Sequence, residues 1–400
     1  MIGNELKKIW NVRMTLLLLL VSVTLFYTWI IGQMNLHYLP LFETVDATLG
    51  AKLLEQFGTT IDADELEQVA ALKEGVRQDF EEKVSAAYPQ LEEMGMESFE
   101  EFENDIMTDV SMEEAQTEQY QQKCELYNQI TEEFGWELES IDFYSELLER
   151  KEYAAMRFKV ANSDDYPERN KEQAIWDRIA EVTERPGTSV LPDSVTMNMN
   201  YVIQDFTRIL LYLVLLLLLP YLALDNKSRV YPLAATTRRG RGLVKTQFLA
   251  MLIGLLPLLA VMDIALCVAY SFYTPYAVFN GCMVEYLWFD FTQLQYFWVQ
   301  VLVCNLIALA FSMLVFFASA FCRTIVGTVV MALPCWGLGT LAGMFFADDI
   351  FSCNVILKSM PYALHASRYS LTICLLGMLL AGLLCDGWLI RRRKREDIML

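Results

Sequence analysis

The chain has 400 residues, 54% of them apolar, and a formal net charge of −19. The apolar residues gather into long runs with few charges, which is the composition of an integral membrane protein rather than of a soluble one. The acidic excess argues against nucleic-acid binding through charge, because it repels phosphates.

Taken in chain order, residues 1–13 carry Lys7, Lys8 and Arg13 and are expected on the cytoplasmic side. The first span is read over 14–32. It is taken as an uncleaved anchor, since the apolar stretch outruns a signal peptide and no small-x-small cleavage site follows Gly32-Gln33-Met34-Asn35.

Residues 33–200 then hold 39 acidic and 13 basic side chains, a net charge of −26, while the rest of the chain nets +7. The segment suits one domain. Helical spacing recurs at Leu66, Val69, Lys73, Val76, Phe80 and Val84, at Tyr127, Ile130, Phe134, Leu138 and Ile141, and at Ile175, Ile179 and Val182. A helical extracytoplasmic domain is expected, joined to the second span by the linker Pro186–Ser194. Its charge would attract cationic peptides or metal cations weakly, and solubility explains that charge equally well.

Further spans are read at 201–224, 246–270, 294–321, 325–346 and 371–390. Between them lie a cytoplasmic loop at 225–245, outer loops at 271–293 and 347–370, and a basic tail at 391–400. With six spans, Lys227, Arg229, Arg238, Arg239, Arg241 and Lys245 fall on the same side as the N-terminal cations and Arg391–Arg395. Both termini are then cytoplasmic, in a multi-pass protein of the cell membrane. The expected fold class is an all-α integral membrane protein of six transmembrane helices, with the helical extracytoplasmic domain inserted between helices 1 and 2.

Charges inside spans are costly and need a reason. Asp263 lies deep in a span, and two readings stay open: a pathway, helix–helix or substrate contact, or a residue near a water-filled groove or bonded to a neighbouring span. Asp205 and Arg208 are spaced to pair, and Asp386 is expected to pair or snorkel near Arg391. The outer segments 282–291 and 350–357 look like short helices at the membrane interface, rich in aromatic residues. Most cysteines fall in spans as small hydrophobes; Cys282 and Cys353 are placed outside, with no spacing that demands a bridge.

No phosphate-binding Gly-x4-Gly-Lys-Ser/Thr loop occurs. With only His37 and His365, a His-based catalytic constellation is not expected, and neither is a metal site. No enzyme activity is expected of the chain itself, and an intramembrane enzyme would need paired acid–base groups that it lacks.

The N-terminal run Asn4-Glu5-Leu6-Lys7-Lys8-Ile9-Trp10-Asn11-Val12-Arg13, the large outer segment after span one and the cytoplasmic loop resemble the ABC-2 type permease family of Gram-positive bacteria. In the loop the resemblance rests on Asp225 closing span two, then Thr236, Thr237, Arg238, Arg239, Gly240 and Arg241, then Lys245 at span three. The chain departs from the pattern at Asn226–Arg229 and Pro232. The resemblance implies the transmembrane subunit of an exporter, working as a homodimer or as a heterodimer with a second permease. A separate ABC ATPase subunit would bind the ATP and dock on this loop as a coupling helix. The alternative is a non-transporting membrane sensor or binding protein that presents the acidic domain.

Overall fold

A computed structural model describes residues 2–32, 45–96, 98–107, 117–161, 173–227, 242–272, 277–285, 287–322, 324, 326–330 and 368–396. Of these, 151–161, 173–176, 222–227, 370 and 393–396 are described as backbone alone. The chain divides into two compact units, Leu41–Pro192 and a second made of Met1–Pro40 with Asp193–Leu400.

Among its described residues, the unit Leu41–Pro192 has helices and one two-stranded pairing. Its elements are α3 (Val45–Phe57), β1 (Thr60–Ile61), α4 (Ala63–Ala87), α5 (Gln90–Glu93), α6 (Phe99–Met107), α7 (Glu118–Glu133), α8 (Gly135–Ala161), α9 (Gln173–Thr183) and β2 (Thr188–Ser189). The predicted stripes form its interior. Val69 joins Val45, Leu49, Leu53, Ile61, Phe143, Tyr144, Leu147 and Val190 in one cluster. Phe80 and Val84 pack with Leu91, Phe99, Phe102, Ile106, Leu126 and Ile130 in another. The stripe from Tyr127 to Ile141 crosses a helix break. Phe134 leaves helical geometry at φ −110°, ψ 24°, and Gly135 opens the next helix.

The linker expected at Pro186–Ser194 contains a strand instead. Thr188 and Ser189 pair antiparallel with Ile61 and Thr60. The buried Arg150 guanidinium donates to the Ser189 and Leu191 carbonyls, both at 3.0 Å, and so holds the strand in place. Gly187, at φ +85°, makes the turn into it; an added Cβ would lie 2.6 Å from Thr60 Cγ2.

Among the described residues, the other unit contains five helices long and apolar enough to cross a membrane, which makes the chain an all-α, multi-pass membrane protein. They are α2 (Val12–Leu25, continued by π-helical turns over Phe26–Ile31), α10 (Asp193–Lys227), α11 (Leu243–Phe272), α12 (Gln293–Ser319) and α13 (Ser370–Glu396). A short amphipathic α1 (Ile2–Ile9) precedes them. Much of the span predicted at 325–346 lies outside the described residues. The helix predicted from Tyr201 starts at Asp193, two turns earlier, because its first turns are polar and carry no hydropathy signal.

Packing gives the helix directions. Met199 meets Gln293 and Thr207 meets Cys304, so α10 and α12 run parallel. Phe297 stacks on Tyr270 and Phe316 meets Phe248 edge-on, so α11 runs against α12. Leu371 and Leu375 cluster with Val303 and Ile307, and Trp388 meets Phe317, so α13 is parallel to α12. Leu16, Leu20, Val261, Ile264, Leu380 and Leu384 stand exposed on outward faces, as hydrocarbon contact requires.

The outer segment 282–291 is a turn rather than the short helix expected. Val284 N–H donates to the Phe291 carbonyl at 2.9 Å and Gln293 N–H to the Cys282 carbonyl at 2.8 Å, around a Met283–Thr292 bridge. Cys282, Leu287 and Trp288 are buried, so this Trp serves packing rather than an exposed interfacial belt. The segment expected at 350–357 lies outside the described residues.

Candidate functional site

The start of α12 sets the face it turns to α10. The Thr292 hydroxyl accepts from Gln295 N–H at 3.3 Å while the Gln295 side chain accepts from Thr292 N–H at 3.0 Å. From there Gln293, Tyr296, Gln300 and Cys304 follow at steps of three and four, the spacing of one helix face. All four are buried, and both glutamines have 0% exposure.

They meet polar groups on α10. Gln300 Nε2 donates to Asn200 Oδ1 at 2.6 Å, and the Tyr296 hydroxyl donates to the same oxygen at 3.2 Å. Gln293 Nε2 lies 3.3 Å from Met199 Sδ, and Thr207 Oγ1 lies 3.0 Å from Cys304 Sγ. Three amide atoms of this seam, Asn200 Nδ2, Gln293 Oε1 and Gln300 Oε1, are buried without a hydrogen-bond partner among the described residues. One donor and two acceptors kept bare in an apolar bundle are costly, and they give the seam capacity for water or for neutral hydrogen-bonding groups.

Asp263 lies beside this seam, on α11. Asn305 Nδ2 of α12 donates to its Oδ2 at 2.9 Å, while Asp263 Oδ1 and Asn305 Oδ1 are buried without hydrogen-bond partners among the described residues. Asp263 is thus a helix–helix contact, one of the two readings left open by sequence, with capacity to spare. Asp205 accepts from Arg208 at 2.5 Å, as their spacing predicted. Asp386 does not snorkel: it is buried at 1% exposure, and neither carboxyl oxygen has a hydrogen-bond partner among the described residues. Its position on α13 turns it inward, whereas Arg392 lies over the Trp388 ring, 5.3 Å from its centroid.

A second polar corner forms where α1 crosses the bundle. Glu5, almost fully buried, accepts from the Tyr221 hydroxyl at 3.0 Å and pairs with Lys8 at 2.9 Å. Trp10 Nε1 donates to the Gly254 carbonyl at 2.9 Å. A Cβ at Gly254 would stand 3.1 Å from Ile9 Cδ1, so the glycine is what lets α1 lie so close to α11.

Of the residues singled out in the sequence, Asp225 lies on the backbone of α10 and Lys245 is exposed near the start of α11. Thr236, Thr237, Arg238, Arg239, Gly240 and Arg241 lie outside the described residues. Asp263 is brought together with Asn305 and with none of the loop residues described. Sequence reasoning missed Asn200, Gln293, Tyr296, Gln300 and the Glu5–Tyr221 contact. Gln293 and Gln300, seven residues apart in an apolar run, were the available signal, because that spacing puts two amides on one face. Comparison with protein-family models, with curated proteins and with solved structures gives no match to this chain.

Proposed function

We propose that the chain is the transmembrane permease subunit of an ATP-binding cassette exporter, driven by a separate ABC ATPase subunit and lying in the cell membrane with both termini in the cytoplasm. The observation that carries this reading is the polar seam between α10 and α12. A protein that only anchors a domain has no use for bare amides between its two most enclosed spans, whereas a moving helix pair that contacts cargo does. The permease resemblance of the 225–245 loop adds the partner, and the chain's lack of a phosphate-binding loop fits a subunit that borrows its ATPase.

Six spans suit the helix directions. The parallel run of α12 and α13 supports this reading, which gives the return between them to the span at 325–346. The basic segments then share one side. In this reading Arg238, Arg239 and Arg241 meet acidic groups of the ATPase, and Asp225 and Lys245 bound the coupling helix as it passes motion to α10 and α11.

The test is co-purification with an ABC ATPase encoded beside this chain, comparing wild type with Arg238→Glu/Arg241→Glu. The reading expects loss of the complex and of ATP turnover stimulated by the permease; survival of both contradicts it. The sensor alternative draws on the acidic unit Leu41–Pro192 having its own core. It expects membrane-bound protein without any ATPase partner.

A further inference from the structure

We propose that Asp263 and Asn305 together form a proton-binding site at the contact between α11 and α12. The inference needs only that these helices lie in a bilayer, and it stands or falls apart from the permease reading. Asn305 Nδ2 already donates to Asp263 Oδ2 at 2.9 Å, which orients the amide with its nitrogen toward the carboxyl. The remaining oxygen of each group, Asp263 Oδ1 and Asn305 Oδ1, is buried and has no hydrogen-bond partner among the described residues. Two bare acceptors on paired side chains are what one proton joins. A carboxylic acid and a primary amide close a two-bond ring, the acid carbonyl accepting from N–H and the acid O–H donating to the amide oxygen.

The step is a simple protonation. A proton from solvent binds Asp263 Oδ1, the carboxylate charge is lost, and the new O–H donates to Asn305 Oδ1. Deprotonation returns the proton to solvent and leaves a carboxylate held by one amide N–H. That ionised state is expensive in a span, since a neutral amide supplies no countercharge. A metal cation fits less well. Hard cations take six or more oxygens, whereas two are bare here, and no group of three metal-ligating side chains occurs among the described residues.

Among the described residues, neighbouring elements bring no opposing charge to the pair. Cys267 on α11 and Cys304 on α12 are titratable groups within electrostatic range of Asp263. On α10, Asp205 and Arg208 bond to each other. On α1, Glu5 and Lys8 pair at a part of the bundle near Gly254, about 13 Å along α11 by helical rise. On α13, Asp386 lies toward the Trp388 end, where α13 meets Phe317.

The experiment is infrared difference spectroscopy of the full-length protein in lipid nanodiscs, titrated from mildly acidic to mildly alkaline pH. Wild type is expected to show a protonated-carboxyl C=O band that titrates across this range and is missing from Asp263→Asn. In Asn305→Leu the band should move to higher frequency, because its amide partner is gone. The amide I band of the same spectra reports that each variant keeps its helices. Absence of any such band in wild type overturns the proposal, as does its persistence in Asp263→Asn, which would assign it to another acid such as Asp386. A band lost in Asp263→Asn but unmoved in Asn305→Leu overturns the pairing.

Discussion

Gly382 is a point of close approach between α13 and α12, where an added Cβ would meet Met313 Cβ and Sδ, both at 2.9 Å. Helices in a bilayer depend on such small residues for close approach. Gly382→Val is expected to cost about 1–3 kcal/mol by overpacking, seen as a lower melting temperature in detergent; an unchanged melting temperature would show that the two helices are not so close. Gly187 poses the same test in the other unit, with backbone strain added. At φ +85° and with Thr60 and Ile61 against it, Gly187→Ala is expected to cost about 1–3 kcal/mol and to speed hydrogen exchange at β1 and β2. Tyr127 sets a pH dependence. Burial first, then its 2.8 Å bond to Glu103, pushes its hydroxyl up to about 12. Its ordinary value is about 10. A group raised on folding stabilises the fold fully below its unfolded value, and that contribution is lost as pH climbs through the folded value. Exchange protection of α6 and α7 should therefore fall between about pH 10 and about pH 12, and Tyr127→Phe should remove that part of the fall.

At the scale of elements, the seam between α10 and α12 behaves as a unit. Gln300→Leu breaks the bond to Asn200 and leaves that amide facing an apolar side chain. An interhelical bond of this kind contributes about 0.6–2 kcal/mol, so the variant should melt lower than wild type. Asn200→Leu/Tyr296→Phe/Gln300→Leu should recover part of the loss, because removing the Asn200 oxygen together with both of its donors leaves none of the three bare; additive losses in the melting curves would mean the three residues do not interact. Sequence made the seam's host helices legible and hid the seam. Long apolar runs announce spans, and four of the six expected ones coincide with described helices to within a few residues, with α10 the outlier at its polar start. Neutral Asn and Gln barely disturb hydropathy, so attention went to charges, and Asp263 was found while Gln293 and Gln300 were not. The turn at 282–291 was read as a helix because aromatic density resembles an interfacial helix. Its shape comes from backbone bonds to residues on either side of it, Phe279 and Gln293 among them. Strand β2 was hidden because two paired residues carry no periodicity.

For the whole molecule, charge and apolar surface are distributed in a way that serves a membrane subunit. The acidic side chains concentrate in residues 33–200, and the cations of the rest of the chain cluster at 7–13, 227–245 and 391–395. A helical bundle bonds its backbone polar groups largely within each span, so its outward faces tolerate lipid while polar side chains stay inside. What sequence could not supply was the mutual arrangement of spans. Parallel packing of α10, α12 and α13, with α11 reversed, emerges only from contacts between residues far apart in the chain. The central claim, that this chain is the membrane half of an ATP-driven exporter, is tested most directly by purifying it from its native membranes in mild detergent. Its stoichiometric partners and their ATP hydrolysis would then be measured. The account expects an ABC ATPase at fixed stoichiometry whose turnover falls on removal of this chain; purification of the chain alone, or with partners that hydrolyse no ATP, would contradict it.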